Sequence, residues 1–113
     1  MSRLTEDAIQ ELLAQTYSDD ADERAQAVRE LCPCHLKRNL SEVWGRMIAL
    51  QADPERRVRT QVLHVLADGS PREYELQVVA AIQTLAQDDD EKIRRNARKV
   101  LAKYRKFGNI NVL

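Results

Sequence analysis

Apolar residues recur along the chain at helical spacing, in short stretches separated by polar breaks. The first stretch contains Ala8, Ile9 and Leu12, and the next contains Val28 and Leu31. Steps of one, three and four residues place such side chains on one face of a helix. Because the stretches come in pairs, with a polar break between the two members, the pattern predicts helical hairpins rather than long single helices.

The sequence repeats itself with a period of 35 residues and without a gap. Apolar columns align in three copies, and so do charged columns: Ala8, Val43 and Val78; Leu31, Leu66 and Leu101; Arg24, Arg59 and Arg94. A regular period of this length is typical of repeat architectures, in which neighbouring units cover each other's apolar faces. We therefore predict one all-α domain over residues 1–113. It has units of about 1–35, 36–70 and 71–105, about six helices, and a tail at 106–113.

Two segments resemble the start of the second helix in HEAT repeats. They are D-P-E-R-R-V-R, from Asp53 to Arg59, and D-D-D-E-K-I-R, from Asp88 to Arg94. The resemblance is closest to the short bacterial HEAT-like repeats, including those of phycobilisome lyases, and covers about residues 4–105. It implies an α-solenoid of three HEAT-like hairpins. It also implies a structural ladder along the stack, formed by Asp53, Arg59, Asp88 and Arg94.

Unit 1 departs from the HEAT-like pattern at two positions. Ser18 stands where the other units have Asp, and Glu23 stands where they have Val58 and Ile93. A first repeat with polar substitutions at a core position is what an end cap of a stack is expected to look like. A repeat of this kind indicates a fold far better than it indicates a function.

The second helices of such a stack line its concave face, so their positions outside the core are candidates for binding. Bases, amides and one imidazole occupy these positions, which favours an acidic partner. A solvated helix face is the simpler interpretation of each residue taken alone. The predicted partner-binding residues are Arg57, Gln61, His64, Lys92, Arg95, Asn96, Lys99 and Lys103.

Charge is balanced over the whole chain but uneven along it. The chain has 18 Lys and Arg against 18 Asp and Glu, yet residues 92–106 carry eight bases and no acid, and residues 1–30 are acidic. The last bases suit a helix C-terminus, which attracts positive charge. Two further interpretations remain open: nucleic-acid binding through the same ridge, and weak head-to-tail self-association of an otherwise monomeric chain.

The segment Cys32-Pro33-Cys34-His35 carries potential metal ligands. Thiolates and imidazole bind zinc, but C-x-C followed by His is not a usual spacing for structural zinc. Cys32 also aligns with Ala67 and Ala102, which indicates a small buried residue. We therefore expect no metal and no cofactor, and keep Cys32, Cys34 and His35 as an alternative metal or thiol site.

No catalytic motif is present in the sequence, and the chain is expected not to be an enzyme. The N-terminus lacks the apolar core of a secretory signal, and no apolar run is long enough to span a membrane, so a cytoplasmic location without membrane contact is expected. The predicted function is a non-catalytic protein–protein interaction module, a scaffold or adaptor. We expect the tail either to cover the last unit or to extend toward another protein.

Overall fold

Six α-helices make up most of the computed structural model, which describes residues 5–32 and 40–108. The predicted all-α fold is confirmed. Short 3-10 helices at Leu50–Ala52 and Arg72–Tyr74 flank the middle helices. The α-helices are α1 (Glu6–Gln15), α2 (Ala21–Glu30), α3 (Ser41–Ala49), α4 (Arg56–Asp68), α5 (Glu75–Leu85) and α6 (Glu91–Phe107).

The helix boundaries follow the period of the sequence. The second helices α2, α4 and α6 begin at Ala21, Arg56 and Glu91, which are 35 positions apart. Asp20 and Asp90 cap two of these starts, since their carboxylates accept hydrogen bonds from backbone N–H groups of the first turn. The repeated columns therefore occupy equivalent places on the three second helices.

The last helix ends at a glycine. Gly108 follows α6 with φ at 79°, and its N–H donates to the Tyr104 carbonyl at 2.7 Å. This left-handed conformation is strained for residues with a Cβ and open to glycine, so the chain leaves the helix here. Residues 109–113, most of the predicted tail, lie outside the described residues.

The helices pack in chain order. Each hairpin packs on itself, and the second helices lie side by side, α2 against α4 and α4 against α6. A single cluster of buried side chains runs through all three units, from Ile9 and Val28 to Ile82 and Ala97. Burial of this continuous apolar surface is the main force that holds the units together.

Polar contacts also join the first two units. Arg46 on α3 donates from Nε to the Thr16 hydroxyl and from Nη2 to the Thr16 carbonyl, both at 2.9 Å. Its guanidinium lies 3.6 Å from the centre of the Tyr17 ring, a cation–π contact. Thr16 is fully buried at the end of α1, so this contact satisfies polar atoms that water cannot reach.

Within residues 5–32 and 40–108, the structure contains no helix that combines the length and the apolar character needed to cross a bilayer.

Candidate functional site

Two mostly buried arginine–aspartate pairs connect consecutive units. Arg24 donates from Nε and Nη2 to both carboxylate oxygens of Asp53, at 2.9 and 3.1 Å. Arg59 binds Asp88 in the same way, at 2.8 and 3.1 Å. In each pair the arginine belongs to one unit and the aspartate to the next, and both side chains are mostly buried. A two-pronged contact of this kind is strong and fixes geometry.

The aspartates also hold their own loops in place. One carboxylate oxygen of Asp53 accepts from the Glu55 N–H, and the same oxygen of Asp88 accepts from the Asp90 N–H, both at 2.9 Å. Burial by itself raises the pKa of Asp88, but hydrogen bonds from Arg59 and the Asp90 N–H, with the charge of Arg59, hold that pKa below its ordinary value. The hydrogen bond to Asp88 likewise raises the pKa of Arg59.

Within the described part of the chain, the series of pairs does not continue beyond the pairs of Arg24 and Arg59. Ser18 occupies the aspartate position of unit 1 and keeps its role in the loop, since its hydroxyl accepts from the Asp20 N–H at 3.1 Å. It has no carboxylate to offer to another unit. At the other end, Arg94 donates from Nη1 to the Asp88 carbonyl at 2.9 Å, but among the described residues no carboxylate pairs with its Nε and Nη2.

Arg94 is held in the same way as the two paired arginines. The Nη1 group of Arg24 donates to the Ser18 carbonyl at 2.8 Å, and that of Arg59 donates to the Asp53 carbonyl at 2.9 Å. In all three units the guanidinium is thus anchored to the loop that precedes its own helix. Arg94 keeps this anchor, but within residues 5–32 and 40–108 its Nε and Nη2 groups have no carboxylate partner of the kind that the other two arginines bind.

The predicted partner-binding residues lie on one side of two adjacent second helices, which we call the second-helix face. All of them are exposed except Gln61, which is half-buried. Arg57 is engaged in an ion pair with Asp22 of the preceding unit, although both side chains remain largely in solvent. The face comprises Arg57, Gln61 and His64 on α4, and Lys92, Arg95, Asn96, Lys99 and Lys103 on α6.

A cleft of about 450 Å³ opens on the outer side of α6, and we call it the terminal cleft. It shares Arg95 and Lys99 with the second-helix face. Four of its six lining side chains are basic, and one is acidic. The lining residues are Glu91, Arg94, Arg95, Arg98, Lys99 and Ala102.

The terminal cleft replaces an apolar packing surface of the inner units. The column that ends in Arg98 holds Val28 in unit 1 and Leu63 in unit 2, and both belong to the buried core. Arg98 is exposed, and its Nε donates to the Ala86 carbonyl at 3.1 Å, at the end of α5. Sequence reasoning missed Arg98, although the change from Val and Leu to Arg in one column was readable.

The structure describes only one residue of the candidate metal segment. Cys32 is buried, and its Sγ lies 3.7 Å from Oδ2 of Asp68. Cys34 and His35 lie outside the described residues. Within residues 5–32 and 40–108 no group of three or more His, Cys, Asp and Glu side chains is arranged to hold a metal ion.

Comparison with known protein families, with characterised proteins and with solved structures finds no match for this chain.

Proposed function

We propose that this chain is a HEAT-like repeat module that binds an acidic partner protein, without catalysis, through the second-helix face. The observation that carries the proposal is the placement of Arg95 and Lys99. Both are exposed, both lie on the second-helix face, and both also line the terminal cleft. The chain is neutral as a whole, so positive charge gathered at one place favours the binding of partner proteins with an acidic surface at that place.

The repeat architecture is supported by two independent features. The second helices begin 35 positions apart, and the same Arg–Asp contact joins units 1 and 2 and units 2 and 3. A stack of this kind presents an extended surface made of several helices, which suits it to binding another macromolecule. We propose on this basis a short solenoid that acts as a scaffold or adaptor.

The first prediction concerns the charge of this surface. The double variant Arg95→Glu with Lys99→Glu is expected to remain folded, because both side chains are exposed. It is expected to lose at least tenfold of the affinity for its partner, since two attractive charges become repulsive. Arg57 is left unchanged because its pairing with Asp22 complicates the outcome. Affinity capture from host lysate, followed by titration of the captured protein, measures the loss.

The control is the double variant Arg72→Glu with Arg105→Glu, which makes the same change of charge at exposed positions outside the face and the cleft. The proposal requires that a defined protein is captured even after nuclease treatment. The control variant must still bind this protein, and the variant with Arg95→Glu and Lys99→Glu must not bind it. Equal binding by both variants contradicts the assigned face. Capture that disappears with nuclease favours the nucleic-acid alternative instead.

A further inference from the structure

We infer that the terminal cleft binds a carboxylate-bearing, acidic segment of the partner protein, with Arg94 gripping one carboxylate through Nε and Nη2. The inference rests on the proposed function, because it names the chemistry of the partner segment that reaches the basic end of the second-helix face. It gives Arg94 a binding role in addition to the structural role that the repeat pattern implies.

The inner units show what an arginine in this column binds. Arg24 and Arg59 each hold a buried aspartate carboxylate with Nε and Nη2, in a two-pronged contact with distances of 2.8 to 3.1 Å. Nη2 of Arg59 also donates to the exposed carboxylate of Asp89 at 3.3 Å. Arg94 shares their position in the repeat and their anchor, the donation from Nη1 to a loop carbonyl. Nε and Nη2 of Arg94, which pair with no carboxylate among the described residues, are therefore held by the protein before any ligand arrives, which lowers the entropic cost of binding.

The cleft is adapted to a polar occupant rather than to a further repeat. Packing of one unit on the next buries Val28 and Leu63 in the inner columns. A helix packed over Arg98 in the same way would bury a charged group, at a large desolvation cost. Arg98, which replaces the apolar residue of this column, also adds positive charge beside Arg94. The surface that is closed by packing in units 1 and 2 is therefore a basic cleft in the described part of unit 3.

Carboxylate chemistry fits the cleft better than a phosphate backbone does. In the column to which Arg94 belongs, the two paired arginines both bind planar carboxylates through Nε and Nη2. A carboxylate matches the planar pair of N–H donors, and this geometry favours a peptide carboxylate at Arg94. Unit 1 of a second copy cannot reproduce the inner pairing with Arg94, because Ser18 stands where the inner units have the aspartate.

The test measures the binding of two fluorescent probes of similar charge by fluorescence polarisation at low salt. The probes are deca-aspartate and the single-stranded oligonucleotide decathymidylate. Wild-type protein is expected to bind deca-aspartate more tightly. Arg94→Lys keeps the charge but removes the planar two-pronged donor, so it is expected to weaken peptide binding about tenfold. The matched control is Arg105→Lys, the same exchange on the same helix but outside the cleft, with an expected change of less than twofold.

A second variant keeps the test independent of the loop contact of Arg94. Ala102 is exposed in the cleft, and Ala102→Glu places a carboxylate there without removing any hydrogen bond. It is expected to weaken peptide binding at least tenfold. Gln83→Glu adds the same charge at an exposed position on α5, away from the cleft, and is expected to have little effect.

Three results overturn the inference: equal losses in Arg94→Lys and Arg105→Lys, unchanged peptide binding in Ala102→Glu, or tighter binding of decathymidylate that Ala102→Glu weakens. The same variants separate this inference from the proposed function. If the captured partner is lost by Arg95→Glu with Lys99→Glu but kept by Arg94→Lys, the second-helix face stands and the role of Arg94 falls. If the partner is kept by all of these variants, the proposed function falls as well.

Discussion

Arg59→Met is expected to lower the free energy of unfolding by about 3 kcal/mol, because it leaves the buried carboxylate of Asp88 without its cation. Arg59 and Asp88 are only 13% and 7% exposed, so water cannot replace the lost contact. The matched control is Arg94→Met, the same exchange in the same column. It removes one hydrogen bond and no pair with a described carboxylate, so a cost of about 1 kcal/mol is expected. Urea unfolding followed by circular dichroism measures both.

The loss in Arg59→Met is also expected to depend on pH. The pKa of Asp88 lies below its ordinary value in the folded protein, so the pair stabilises the fold fully above the unfolded-state pKa of about 3.9. That stabilisation disappears as the pH falls through the folded-state pKa. The difference between wild type and Arg59→Met should therefore be largest near neutral pH and shrink below about pH 4. Equal costs for Arg59→Met and Arg94→Met, or a difference that grows in acid, would contradict the inter-unit pairing.

Leu66→Ala is expected to destabilise the protein by about 3–4 kcal/mol, since it deletes a large side chain at the centre of the core. Leu66 is fully buried on α4, the helix that packs against the second helices of both neighbouring units. The cavity left behind should lower the melting temperature by roughly 15 °C for a domain of this size. Thermal unfolding by calorimetry measures the shift.

The control for the core variant is Leu76→Ala, which removes the same atoms from a side chain that is 81% exposed. It is expected to change stability by no more than about 0.5 kcal/mol. Comparable destabilisation by the two variants would mean that Leu66 is not part of the continuous core described above.

The sequence allowed the helices to be predicted because the period carries that information. Core positions such as Val62 and Leu66 recur every 35 residues, and the second helices begin at the same spacing. Burial of one face of a helix requires apolar residues at regular spacing, and this spacing can be recognised in the sequence. A single residue carries no such signal. Asp53 and Asp88, to which the HEAT-like resemblance gives a ladder role, form ion pairs with Arg24 and Arg59.

The contacts that distinguish the two ends of the molecule could not be predicted in the same way. Periodicity treats Arg94 as one more member of its column, although no carboxylate in the described part of the chain pairs with it as Asp88 pairs with Arg59. It also treats Arg57 as a free cation, whereas the structure pairs it with Asp22 across units. Such differences depend on the neighbouring unit that each residue meets. A repeat pattern treats all units as equivalent, so it does not contain this information.

The binding role of the last unit is tested most directly by titrating the unmodified protein with deca-aspartate. The NMR signals of the arginine Nε–H groups report the binding. The Arg94 signal should shift early and reach saturation, because its Nε gains a carboxylate acceptor. The signals of Arg24 and Arg59 should stay in place, since their donors already bind Asp53 and Asp88. An unchanged Arg94 signal, or equal shifts of all exposed arginines, would contradict an acidic-segment site in the terminal cleft.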